Sequence, residues 1–239
     1  MLKLSIIIPV YNEAATVKKL LDRVLAVQLS NIQKEIIIIE SNSTDGTRKI
    51  IKKYEKKKGI KILYQERPMG KGNALKLGFT YATGDIILIQ DADLEYKPEE
   101  YGKLLEPILS GKTAFVLGSR HLGKETWVIR TYLNSLHAKT LNVGGLIYTH
   151  LFNLLYGVHL TDPATMFKVF RRTCLENITL KTNYFDLDWE LTAKFIKKRV
   201  IPLEVPISYN SRSVEEGKKI RFFRDGWLVF WAIVKYRFF

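Results

Sequence analysis

Five short apolar runs in the first half of the chain constrain its fold more than any other feature. Leu4–Val10, Glu35–Ile39, Ile60–Tyr64, Asp85–Gln90 and Thr113–Leu117 are β-branched and five to seven residues long. Near-continuous apolar runs of this length suit strands covered on both faces, as in a parallel sheet. Between the first two runs, Val17, Leu20, Leu21, Val24 and Leu25 recur at the spacing of one helical face. A second helix follows Gly46 through Ile50, Ile51 and Tyr54, a third covers about 73–82, and a fourth starts near Pro98. Strand–helix alternation predicts an α/β fold with a doubly wound, mostly parallel sheet and helices on both faces.

The second half changes character. From Thr140 to Thr161 no residue carries a formal charge with neutral histidines, a span long enough to cross a bilayer. Asn142, Thr149, His150, Asn153 and His159, with glycines at 144, 145 and 157, argue instead for a helical interior or interfacial segment. A further strand is expected over Val200–Ile207, followed by a basic, aromatic tail. No repeat or long flexible linker interrupts the chain, so a single domain is expected.

Composition supports a folded globular chain. Of 239 residues, 46% are hydrophobic and 26% charged, which excludes disordered and low-complexity classes. Cys174 has no partner for an internal disulfide, consistent with a reducing compartment. The start at Met1 lacks a signal-peptide layout. The 38 basic and 24 acidic residues give a net charge of +14, which favours an anionic partner without choosing its kind. Arg48, Lys49, Lys52, Lys53, Lys56, Lys57, Lys58 and Lys61 read as the wet face of the second helix.

In an open α/β sheet, ligands bind beyond the carboxyl ends of the strands. The first expected strand leads into Pro9-Val10-Tyr11-Asn12-Glu13, the second into Glu40-Ser41-Asn42-Ser43-Thr44-Asp45, and the fourth into Asp91-Ala92-Asp93-Leu94-Glu95. Three strand ends therefore carry acidic or small polar groups toward one crevice. Asp91 and Asp93 can both reach one hard cation, with Glu95 extending the oxygen set. The same Asp-x-Asp can also cap a helix or make a solvated turn, but its neighbours favour the metal. Gly70-Lys71-Gly72 precedes a helix without forming either standard phosphate-binding glycine motif, and fits a plain helix start. His137, His150 and His159 share no zinc spacing with Cys174, and His121 reads as a surface histidine.

Ile7-Ile8-Pro9-Val10-Tyr11-Asn12-Glu13, Ser43-Thr44-Asp45-Gly46-Thr47 and Asp91-Ala92-Asp93 together resemble family 2 glycosyltransferases of the GT-A fold. Gly118-Ser119-Arg120, Asp162 with Phe167-Lys168, and Glu204-Val205-Pro206-Ile207-Ser208-Tyr209 extend that resemblance. With Arg212 and Gly217-Lys218-Lys219, they are similar to the dolichyl- and polyprenyl-phosphate transferases of the family. The resemblance covers nearly the whole chain in order. It implies a nucleotide-sugar-binding half over 1–120, an acceptor half over 121–212 and a basic aromatic segment over 213–239.

The residue roles below are implied by that resemblance. Pro9, Tyr11, Glu13, Glu40 and Asn42 surround the nucleotide, although Glu40-Ser41 stands where an Asp pair is usual. Lys71, Asp91, Asp93, Asp162 and Lys168 complete the donor site, and Asp91, Asp93 and Glu95 hold Mg²⁺ or Mn²⁺. Arg120, Arg130, Asn134 (or Ser135), Arg212 and Lys218 meet an acceptor phosphate. Asp93 serves catalysis through the metal, and Asp188 and Glu190, in Tyr184-Phe185-Asp186-Leu187-Asp188-Trp189-Glu190, are the candidate general bases that a hydroxyl acceptor needs. The implied reaction is metal-dependent inverting transfer of a sugar from GDP or UDP to a polyprenyl phosphate, with a hydroxyl acceptor as the alternative. The Gln-x-x-Arg-Trp motif of processive synthases is absent.

Partners implied are a nucleotide-sugar, a lipid acceptor, a membrane surface at its cytoplasmic face and a membrane-protein partner, with no nucleic acid. Trp227–Val234, flanked by Arg221, Arg224, Lys235 and Arg237, is too short to span a bilayer. It fits either an interfacial anchor or a helix docked on the protein's own core.

Overall fold

The computed structural model describes residues 1–129, 136–212 and 222–239. Arg130, Asn134, Ser135, Lys218 and Lys219 lie outside the described residues. The first half alternates β1 (Leu2–Val10), α1 (Val17–Ala26), β2 (Ile32–Glu40), α2 (Thr47–Lys52), β3 (Ile60–Tyr64), α3 (Lys71–Tyr81), β4 (Ile86–Ile89), α4 (Tyr101–Leu109) and β5 (Phe115–Ser119). The second half contributes α5 (Leu136–Tyr156), β6 (Lys168–Arg171), α6 (Leu187–Lys197), β7 (Leu203–Pro206) and α7 (Phe222–Phe238).

The seven strands form one sheet in the order β3-β2-β1-β4-β6-β5-β7. β1 pairs in parallel with β2 and β4, aligning Ile6 with Ile36 and with Leu88. Leu4, Ile6, Ile7 and Ile8 are fully buried because helices cover both sheet faces. Each such side chain contributes about 1.5–3 kcal/mol of apolar burial. α3 lies close against β1 and β2: a Cβ on Gly78 would stand 2.5 Å from Ile7 Cγ2 and 2.9 Å from Ile39 Cδ1.

One strand departs from the sequence reading. β6 runs antiparallel between β4 and β5, pairing Leu88 with Val169 and Leu117 with Lys168. Its reversed direction puts its first residue, Lys168, beside the carboxyl ends of its neighbours, where a parallel sheet gathers its ligands.

The uncharged span forms α5, and α7 packs alongside it. Tyr148 donates to the Gly226 carbonyl and Tyr156 to that of Ile233, each at 3.0 Å, so the two helices run in the same direction. Val229, Ala232, Ile233 and Tyr236 are buried, yet Trp227, Trp231 and Phe238 remain exposed. The helix therefore docks one apolar face on the protein's own core and leaves a second apolar face exposed. Among the described residues, no helix is long and apolar enough to cross a membrane.

Candidate active site

The loops after β1 and β2 are stitched together by short polar side chains. The Asn12 amide donates to Ser43 Oγ and the Thr44 amide to Asn12 Oδ1, both at 2.9 Å. The Glu13 amide donates to Thr47 Oγ1 at 2.8 Å, and the Ala14 amide to Asp45 at 3.0 Å. Asn12 and Asn42 adopt positive φ, which asparagine tolerates better than most residues. These bonds fix the crevice rim, on which Tyr11 stands exposed and Pro9 half-buried.

Glu40 ends β2 fully buried. It accepts from the Ser43 amide at 2.6 Å and from Arg48 Nε at 2.5 Å, and Arg48 lies over the Tyr64 ring. Glu40, expected beside the nucleotide, thus shapes the 41–43 turn and is covered by Arg48. Arg48 is correspondingly removed from the wet face of α2, because the buried carboxylate attracts it. Lys49, Lys52, Lys53, Lys56, Lys57, Lys58 and Lys61 are exposed as expected, but α2 ends at Lys52, so the lysines from Lys53 to Lys58 follow it and Lys61 lies on β3.

Beyond β4, Asp91 pairs with Lys71 Nζ at 2.6 Å. Lys71 opens α3, whose glycines leave room for a neighbouring loop: a Cβ at Gly70 would collide with the Asn183 carbonyl oxygen, and one at Gly72 would lie 2.9 Å from that of Tyr184. The Gly-Lys-Gly turn is therefore a packing feature that sets Lys71 in place. Burial opposes the Lys71 charge, but Asp91, Asp188 and Asp93 together hold its pKa above the ordinary value.

Asp93 accepts from the Glu95 amide at 3.1 Å and faces Arg212 NH2 at 3.4 Å. Arg212 also forks onto Glu13 at 2.9 and 3.0 Å. Glu95 receives the Tyr209 hydroxyl at 2.6 Å and the Arg212 amide at 2.7 Å. Burial, with Asp91 and Glu95 nearby, pushes the Asp93 carboxyl up to about 7 despite Arg212. Among the described residues, no three His, Cys, Asp or Glu side chains form a preformed metal cage. Asp91 and Asp93 share the crevice, whereas the Glu95 carboxylate is turned onto Tyr209 and Arg212.

Asp188, in the first turn of α6, is buried with Oδ1 lacking any hydrogen-bond partner. Burial raises its carboxyl to about 7; Lys71, Lys168 and Arg120 pull down, and Asp91 adds to the rise. Leaving a buried carboxylate oxygen without a partner costs on the order of 1–3 kcal/mol, which singles out Asp188 as a candidate functional group. Glu190 sits two residues on but is not brought to this cluster. Its carboxylate accepts the Lys181 and Thr182 amides at 2.8 Å and pairs with Lys194, anchoring the loop before α6.

Arg120 and Asp162, expected at acceptor and donor respectively, face each other. Arg120 Nε and NH2 each donate to Asp162 at 2.7 Å, and the Arg120 amide adds a third bond at 2.9 Å. Glu204 secures the Asp162 turn by accepting the Thr161 and Asp162 amides at 2.7 Å. Lys168, expected at the donor, is fully buried and bonds the Pro163 carbonyl and Thr192 Oγ1, each at 2.9 Å. His121, read as a surface histidine, is half-buried and stacks on Trp127 with ring centroids 3.9 Å apart.

Sequence reasoning missed Thr192, whose signal was its place one helical turn after Asp188. Tyr209 was part of a quoted motif without a role; the Tyr96–Tyr209 bridge brings it beside Glu95.

A family model described as glycosyl transferase family 2 matches residues 5–179, well over half of the chain. The chain is 28% identical over 220 residues to a dolichol-phosphate mannosyltransferase of Pyrococcus furiosus, covering 91% of this chain and 59% of that protein. It is 33% identical over 177 residues to an undecaprenyl-phosphate 4-deoxy-4-formamido-L-arabinose transferase of Aeromonas hydrophila, covering 72% and 50%. It is 29% identical over 247 residues to a dolichyl-phosphate beta-glucosyltransferase of Homo sapiens, covering 95% and 72%. The chain thus spans little more than half the length of the first two relatives.

Among solved structures, glucosyl-3-phosphoglycerate synthase of Mycobacterium tuberculosis, in complex with Mn²⁺, UDP and phosphoglyceric acid, superposes with a TM-score of 0.74 at 18% identity. The match covers 99% of this chain and 79% of that one. The same enzyme with Mg²⁺ and UDP gives 0.72. That likeness establishes the shared GT-A architecture.

Proposed function

Because the chain belongs to glycosyl transferase family 2, and is therefore a glycosyltransferase, we propose that it moves a sugar from a nucleoside diphosphate to a polyprenyl phosphate. The observation that carries the chemistry is the buried, unpartnered Asp188 carboxylate beside Lys71 and the Asp91–Asp93 loop. The acceptor class rests on the named relatives, which act on dolichyl and undecaprenyl phosphates.

The all-oxygen set of Asp91, Asp93 and Glu95 fits a hard divalent cation. The crowding that lifts Asp93 to about 7, and the Arg212 guanidinium drawn against it, show that these carboxylates attract positive charge. Asp91 and Asp93 would hold the ion, with Glu95 joining if released from Tyr209. Such an ion supplies charge neutralisation for the departing diphosphate.

An acceptor phosphate oxygen attacks the anomeric carbon as the carbon–oxygen bond to the diphosphate breaks, inverting that carbon, and the bonding pair leaves with the nucleoside diphosphate. A phosphate monoester has a second pKa near about 6, so part of the acceptor still carries a proton near neutrality. Asp188, poised near 7, is matched to receive it. Lys71 and Arg212 supply cationic groups at the diphosphate end of the crevice.

The α5–α7 pair supports a membrane surface as partner. At about 100° per residue, the exposed Val143, Ile147 and Leu154 lie on the side of α5 away from α7, and Trp227, Trp231 and Phe238 form an exposed apolar stripe along α7. Exposed Lys235, Arg224 and Arg237 edge it, the layout of an interfacial helix near anionic lipid.

A second reading, a hydroxyl acceptor, is favoured by one observation: Arg120 is engaged by Asp162 rather than open to a phosphate. Asp188→Asn and Asp93→Ala test the site. Asp188→Asn should lower transfer by at least about 10²-fold while donor binding persists; Asp93→Ala should abolish metal-dependent donor binding. Full transfer in either variant contradicts the assignment.

A further inference from the structure

We infer that Lys168 is a positioning residue for Asp188, its buried ammonium fastening the first turn of α6 to the Asp162–Pro163 turn and keeping positive charge behind the Asp188 carboxylate. This rests on the reading of Asp188 given above. Lys168 has no exposed surface, so it acts through other groups. Its ammonium donates to the Pro163 carbonyl and to Thr192 Oγ1, and Thr192 in turn donates to the Asp188 main-chain carbonyl at 2.9 Å. One cation therefore ties together the helix that carries Asp188 and the turn that carries the partner of Arg120.

The position follows from topology. β6 is the antiparallel strand of the β4–β6–β5 trio, and its first residue emerges beneath the crevice. A leucine or methionine would fill the volume at lower desolvation cost, since burying an ammonium is expensive unless it is compensated. The compensation here is two acceptors at hydrogen-bond distance and the nearby Asp188 charge. Asp188 itself is faced by Lys71 from α3, Lys168 from β6, Asp91 from the loop after β4 and Arg120 from the end of β5. Lys168 is faced by Asp188, Asp162, Arg120 and Glu204. Burial pushes its pKa down to about 8, against the pull of Asp188 and Asp162, so it stays largely charged where Asp188 ionises.

The test compares pH profiles of transfer to a short polyprenyl phosphate for wild type, Lys168→Met, Lys168→Arg and Thr192→Val, with donor affinity measured alongside. Removing the charge should move the acid limb of kcat/KM up by about one pH unit, costing about tenfold below it. Donor affinity should hold, and Lys168→Arg and Thr192→Val should leave the limb in place. A Lys168→Met limb that coincides with wild type overturns the inference, as does lost donor affinity with an unmoved limb.

A second measurement does not depend on that variant folding. Coupling between two charges is reciprocal, so Asp188→Asn should lower the titration midpoint of Lys168, followed by NMR of ¹³Cε-labelled lysine. An unmoved midpoint overturns the inference. If Asp188→Asn instead transfers sugar at the full rate, the Asp188 reading itself has failed, whatever Lys168 does.

Discussion

Asp188 and Glu35 show how opposite surroundings turn the same functional group to different ends. The Asp188 carboxyl is raised from 3.8 to about 7, so between those values the folded chain holds a proton that the unfolded chain has released. Stability therefore falls as pH rises through that window. Asp188→Asn should remove that fall, read as thermal midpoints at pH 4 to 8, while transfer collapses. Glu35 lies at the far end of the sheet, bonded by Lys3, Ser5 and Thr83. Burial alone would raise it, but those bonds bring it from 4.5 down to about 2. Its contribution is complete above about 4.5 and is lost as pH falls toward 2. Glu35→Gln should flatten that acid limb of the denaturation profile; an unchanged limb contradicts the role. The sequence exposed Asp188 as a carboxylate in an acidic cluster. It did not show that Glu190, two residues away, serves the 181–182 backbone, because helix phase decides which of the two faces the crevice.

At the scale of elements, the long apolar strands β1 and β2 were legible because burial on both faces leaves an uninterrupted isoleucine run. β6 was not: Lys-Val-Phe-Arg is four residues long and opens on a lysine, so no period distinguishes it. Its antiparallel entry depends on a route of the chain that local sequence does not encode. α3 was legible as a helix, though its closeness to β1 was not. Gly78→Ala should cost about 1–3 kcal/mol in chemical denaturation, because the new methyl meets Ile7 and Ile39. For the α5–α7 pair, Trp227→Ser with Trp231→Ser should release the protein from vesicles rich in anionic lipid. Retained binding would mean that the exposed face has another partner. The tail's aromatic clustering was plain in the sequence, but two apolar faces on one helix emerged only when α5 was seen beside it.

The whole molecule brings a cluster of carboxylates into one crevice against a net charge of +14. Asp91, Asp93 and Asp188 come from two distant segments, and Lys71 and Arg212 hold them together. The meeting of the loops after β1, β2 and β4 was legible from strand ends alone, because a parallel sheet sends every carboxyl end to one edge, whereas Asp188 enters from α6. The pairing of Arg120 with Asp162 was not, since it joins β5 to a turn more than forty residues later. Chelation of divalent ions should stop transfer and restored Mn²⁺ or Mg²⁺ should revive it; activity indifferent to a chelator would remove the metal from the account. The most direct measurement offers the purified protein labelled UDP- and GDP-sugars with Mn²⁺, with and without a short polyprenyl phosphate, and counts label in the organic extract. The account predicts extractable label only when the lipid phosphate is present. Donor cleavage without any label in the lipid would contradict the phosphate acceptor, and no turnover of any donor would contradict the site.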